Sequence, residues 1–159
     1  MFATAAYAGI EPRRSAPPRV QPSCFVTGDR KEVDTSRFVL IVDDDPDLLD
    51  VTSFVVENEG IAVETARNGK EALALLATGR LPALVLLDMM MPVMNGWEFL
   101  AAVANERLFK GIPIVVLTAA EHAEVLGAME VLSKPTDLKE LIRVVERYVR
   151  KDGDKDAGV

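Results

Sequence analysis

The stretch LVLLDMMMPVMNGWEFL, Leu84 to Leu100, decides the fold. The run from Ala83 to Leu87 is apolar without polar alternation, the pattern of a strand covered on both faces rather than one with a wet side. It ends on an acid, Asp88. A loop holding Pro92 follows, and Asn95 or Gly96 then opens a helix carrying Trp97, Leu100 and Val103. Buried strand, loop and helix in that order are the building block of a parallel sheet wrapped by helices.

The same alternation continues on either side. Phe38 to Val42 (FVLIV), Ala62 to Ala66, Ile114 to Leu117 and Met129 to Leu132 are four further strand candidates. Between them lie helical patterns. Asp45 can cap a first helix with Pro46 at its first position, where the missing N–H costs nothing; Leu48, Leu49, Thr52, Val55 and Val56 line one side and Gly60 stops it. Asn68 can cap a second helix that runs through Leu73, Leu76 and Ala77 to Gly79. A last helix starts near Thr136 or Asp137, with Leu138, Leu141, Ile142, Val145 and Val149 at the spacing of one apolar face. The sequence therefore predicts an α/β domain over residues 37–150.

The flanks differ. Residues 1–36 hold Pro12, Pro17, Pro18 and Pro22 and no periodic apolar pattern, which predicts a disordered N-terminal arm, since such a segment buries too little surface to offset its ordering entropy. Its five basic and four acidic side chains nearly cancel, so the acidic balance of the chain belongs to the domain. Residues 151–159 (KDGDKDAGV) read as a polar tail.

Composition excludes several function classes. In 159 residues, 25 acidic against 18 basic side chains leave a formal charge of −7, the wrong sign for a DNA-binding surface. The single cysteine, Cys24, cannot close an internal disulfide, which points to the cytoplasm. The apolar runs are broken by proline and fall short of the roughly 20 residues of a membrane helix, so no membrane partner is expected. Met1 to Ile10 is apolar but lacks the basic lead of a signal peptide.

In an open parallel sheet, ligands bind at the carboxyl ends of the strands. Asp43, Asp44 and Asp45 follow the first strand, Asp88 the third, Thr118 the fourth and Lys134 the fifth. Taken singly, each has an ordinary explanation: an Asp run caps a helix, and a Lys before a Pro is usually solvated. Taken together they are a cluster of carboxylates that repel one another and call for a cation, with hard oxygen ligands suited to Mg²⁺ or Ca²⁺.

These residues carry a resemblance. IVDDDPDLL (Ile41 to Leu49), LVLLDMMMPVMNGWEFL, VVLTA (Val115 to Ala119) and SKP (Ser133 to Pro135) resemble the four signature segments of the receiver domain of two-component response regulators, in its stand-alone, chemotaxis-regulator-like form. The resemblance implies a flavodoxin-like, doubly wound five-stranded parallel sheet of order 2-1-3-4-5. It implies that Asp88 is the phosphoacceptor and that Asp43, Asp44, Asp88 and the backbone carbonyl of Met90 hold Mg²⁺. Thr118 then matches the switch hydroxyl, and Lys134, before a cis peptide to Pro135, matches the lysine that contacts the phosphoryl oxygens. Asp45 is read as the helix cap.

Two features depart from the family. The chain between Thr118 and Lys134 is short for a full fourth helix, so a truncated one is expected within Ala119 to Leu126. Val131 stands where an aromatic ring commonly rotates on activation. His122, in the short segment, is read as an exposed side chain.

The reading that follows is a single-domain response regulator. It takes a phosphoryl group on Asp88 from a histidine kinase or a histidine phosphotransfer protein, and signals by contact with a protein target or a second copy of itself. It is not an enzyme in the ordinary sense, beyond catalysing its own phosphorylation and dephosphorylation. The competing reading is a non-phosphorylated receiver-like scaffold. An aspartyl phosphatase is disfavoured because Met90 stands where a second acid is needed, and a dinucleotide enzyme because no G-x-G-x-x-G follows the first strand.

Overall fold

The computed structural model describes residues 34–119 and 125–151. Five parallel strands form one sheet in the order β2-β1-β3-β4-β5: β1 (Asp34–Val42), β2 (Ile61–Ala66), β3 (Leu84–Asp88), β4 (Ile114–Thr118) and β5 (Glu130–Ser133). Among the described residues four α-helices connect or follow them: α1 (Pro46–Asn58), α2 (Gly69–Leu76), α3 (Gly96–Asn105) and α4 (Leu138–Lys151). This is the flavodoxin-like arrangement that the resemblance implied. The expected truncated fourth helix and His122 fall largely on residues 120–124, which lie outside the described residues, as do the first 33 residues and the tail beyond Lys151.

Strict alternation divides the core. Phe38, Leu40 and Val42 of β1, with Val85 and Leu87 of β3, pack beneath α2 and α3 against Ala72, Leu76 and Phe99. Val39 and Ile41, with Leu84 and Leu86, face the other way and meet Leu49 and Val56 of α1 and Leu141, Val144 and Val145 of α4. Both sides of Phe38 to Val42 and Leu84 to Leu87 are thereby dry, which is why these stretches are apolar at every position.

The helix boundaries follow their chemistry. Asp45 accepts from the amides of Asp47 and Leu48, and Pro46 opens α1. Asn68 caps α2. Asn95 and Glu98 form a reciprocal capping box at the head of α3. Gly60 and Gly79 turn the chain after α1 and α2 with φ of 79° and 87°, a region that is costly for residues with a Cβ.

Three expectations about helix faces need correction. Leu48 and Leu138, expected in the core, are 41% and 47% exposed, and Trp97, read on one helix with Leu100 and Val103, is 54% exposed while those two are buried. In their place Phe99 and Val144 are buried. Periodicity locates an apolar stripe, but where two stripes adjoin it does not say which one the sheet covers.

Candidate functional site

The chain leaves β1 to make β2 on one side and returns to make β3 on the other, so the carboxyl ends of β1 and β3 bound the crevice where the winding reverses. Register aligns the strand ends: Val42 pairs with Leu87, Asp88 with Leu117, and Thr118 with Ser133. Asp43, Asp88, Thr118 and Lys134 are therefore delivered to one edge by four adjacent strands. The backbone tightens the last step, where the Lys134 amide donates to the Thr118 carbonyl at 2.7 Å.

At the centre the Lys134 ammonium reaches Oδ2 of Asp43 at 2.8 Å and Oδ1 of Asp88 at 2.9 Å. The other oxygen of each carboxylate accepts from a backbone amide two residues on. The Asp45 amide donates to Oδ1 of Asp43 at 3.0 Å, and the Met90 amide to Oδ2 of Asp88 at 3.1 Å. Both acids are buried and each has its two oxygens held in different directions, so their orientations are set before any ligand arrives. Thr118 is buried beside them, while Asp44 is exposed. The Lys134–Pro135 peptide is cis, as the resemblance implied.

The charges do not balance. Oxygens of Asp43, Asp44 and Asp88 all lie within 4.8 Å of one another, and Lys134 is the ammonium that pairs with two of them. Three carboxylates against one ammonium leave a surplus of two negative charges, the deficit that a divalent cation removes. An all-oxygen donor set with one open, exposed member suits Mg²⁺, which keeps several waters. The residues present fit that ion.

Burial raises the Asp88 carboxyl above its ordinary value of 3.8, and the ammonium of Lys134 pulls in the opposite direction without cancelling it. For Lys134, burial favours the neutral amine, but the hydrogen bonds and charges of Asp43 and Asp88 prevail and hold it above 10.5. Lys134 is therefore a fixed positive charge at neutral pH.

All six predicted site positions lie in or beside this crevice. Sequence reasoning missed the two bracing amides and the packing behind them, although an Asp two residues before an amide is the spacing of an Asx turn. Gly96, which the sequence reads only as a helix opener, is also a packing position: a Cβ there would stand 2.8 Å from the Met89 Cα and 2.9 Å from the Asp88 carbonyl oxygen. Of the four methionines around Asp88, Met89 and Met91 are core, Met94 is half-buried and Met90 is exposed at the rim.

Comparison with known proteins agrees with this architecture. A family model described as the response regulator receiver domain matches residues 39–146. An uncharacterized 14.6 kDa protein of Leptolyngbya boryana is 40% identical over 116 residues, 69% of this chain and 88% of that one. The DNA-binding response regulator MtrA of Mycolicibacterium smegmatis is 36% identical over 125 residues, 75% of this chain and 53% of that protein, so this chain spans about half its length. Among solved structures, a CheY-like receiver domain protein from Methanospirillum hungatei superposes with a TM-score of 0.66 at 30% identity, over 76% of this chain and 99% of that one. Chemotaxis protein CheY4 of Vibrio cholerae superposes with a TM-score of 0.64 at 34% identity, over 70% and 98% of the two chains.

Proposed function

Because the chain belongs to the response regulator receiver domain family, we propose that it accepts a phosphoryl group on Asp88 from a histidine kinase or histidine phosphotransfer protein and passes the signal on by protein contact. The observation that carries this reading is the bridge of Lys134 to both buried acids, which leaves Asp88 oriented and next to the charge its reaction needs.

In the step itself a carboxylate oxygen of Asp88 attacks phosphorus while the P–N bond to the donor imidazole breaks. The nitrogen keeps the electron pair and an acyl phosphate remains on Asp88. Two anions must meet, so the barrier falls only where positive charge faces the equatorial phosphoryl oxygens. Lys134 supplies one such charge, and its bonds to Asp43 and Asp88 hold it in place beforehand. Asp43, Asp44, Asp88 and the Met90 carbonyl are the groups that would hold Mg²⁺, whose contribution when bound is further neutralisation of phosphoryl charge. Thr118, buried at the end of β4, is the hydroxyl that would respond to a modified Asp88.

The test is intact-mass measurement after incubation with Mg²⁺ and acetyl phosphate. The reading expects wild type to gain one phosphoryl group and Asp88→Asn to gain none. Equal gain in both, or none in either, rejects it and leaves the scaffold reading.

A further inference from the structure

Helix α1 carries apolar side chains on two sides and the sheet covers only one. Leu49 and Val56 enter the core, while Leu48 and Val51 stand 41% and 51% exposed. With Leu138 and Pro135 they wall a groove of about 420 Å³ that opens beside Lys134. The segment that leads into α1 and its first turns, next in sequence to Leu48 and Val51, is acidic, with Asp44, Asp45, Asp47 and Asp50 all exposed. An occupant that satisfies both features must offer an apolar segment followed closely by positive charge.

The chain itself contains such a segment. Residues 1–10, MFATAAYAGI, hold no charged side chain, and residues 11–22 carry Arg13, Arg14 and Arg19 against Glu11 alone. Reach is sufficient. The stretch between Ile10 and the start of β1 can extend to on the order of 80 Å at roughly 3.3 Å per residue, whereas the nine residues of β1 rise only about 30 Å from one sheet edge to the other.

We propose that residues 1–14 of this chain occupy the groove between α1 and the head of α4, the apolar stretch against Leu48, Val51 and Leu138 and the arginine pair over this acidic segment. The contact covers apolar surface that the fold leaves wet and sets opposite charges together. It does not depend on phosphorylation of Asp88.

Paramagnetic broadening in the full-length protein tests it, with a nitroxide on Ala5→Cys in a Cys24→Ser background. The amides of Leu48, Val51 and Leu138 should lose most of their intensity, and those of Thr78 and Gly79, at the far end of α2, should keep it. Mixing spin-labelled unlabelled-isotope protein with ¹⁵N protein lacking the nitroxide should give no broadening, as expected of a contact within one chain. Val51→Asp, or Arg13→Glu with Arg14→Glu, should restore intensity several-fold. Broadening that is absent, uniform, transferred in the mixed sample or insensitive to these substitutions overturns the proposal, the mixed-sample result assigning the groove to a second copy.

Discussion

The ammonium of Lys134 lies 2.9 Å from Oδ1 of Asp88, joining residues 46 apart in the chain, and the same nitrogen also holds Asp43. One side chain at the end of β5 therefore compensates two buried acids carried by β3 and by the turn after β1. Stability and the proposed phosphoryl chemistry meet at this atom.

Replacing Lys134 by Met keeps the stem and removes the charge. Two buried carboxylates are then left without their cation, which should cost about 2–4 kcal/mol, somewhat less than a fully buried pair because Lys134 retains partial solvent access. Urea unfolding measures the loss. Added Mg²⁺ should stabilise this variant more than wild type, because the surplus negative charge is larger; an equal effect of Mg²⁺ on both proteins would contradict the charge account.

Burial makes the native state hold the Asp88 proton more tightly than the unfolded chain does. The sign follows: this group favours folding at low pH, and that contribution is lost as pH rises through its raised native value. Without metal, the stability advantage of Asp88→Asn over wild type should therefore grow between about pH 4 and about pH 7. Denaturation at both pH values reads the difference, and an advantage that shrinks toward neutrality runs against burial as the dominant cause.

Gly96 sits where α3 begins against the strand that carries Asp88. Its amide donates to the Met89 carbonyl at 3.1 Å, and a Cβ would meet backbone atoms of Met89 and Asp88 at 2.8 and 2.9 Å. Backbone cannot step aside as a flexible side chain can. Gly96→Ala should lose about 2–3 kcal/mol, as overpacked sites do, and slow phosphorylation by acetyl phosphate because the loop holding Met90 shifts. A variant with wild-type stability and rate would show that the loop yields freely.

Val93 adopts φ of 70°, the left-handed region, although it is β-branched and largely exposed. Nothing buried is lost by replacing it, and Asn tolerates that conformation far better. Val93→Asn should raise stability by about 1 kcal/mol, seen as a rise in Tm of a few degrees. A lower Tm would mean that the exposed valine makes a stabilising contact.

Much of the fold was legible because its causes are local. Strands buried on both faces must be apolar at each position, as Phe38 to Val42 and Ala83 to Leu87 are, and Asp45, Asn68 and Asn95 announce the helices they cap through chemistry confined to a few residues. The gathering of Asp43, Asp88, Thr118 and Lys134 at one sheet edge was legible too, since each ends or directly follows a strand. The exposure of Leu48, Leu138 and Trp97 was not, because each lies on an apolar stripe whose burial depends on how its helix is rotated over the sheet.

The order of apolar runs, caps and acids along the chain by itself determined an α/β sheet with its acids, hydroxyl and lysine at strand ends, because periodicity and capping act within a few residues. Only the tertiary structure decided that Lys134 bridges Asp43 and Asp88, that backbone amides brace the remaining oxygens, and that one apolar side of α1 stays open beside them. Those relations join residues tens of positions apart, and they exist only once strand register and helix rotation place the side chains within a few ångströms of one another.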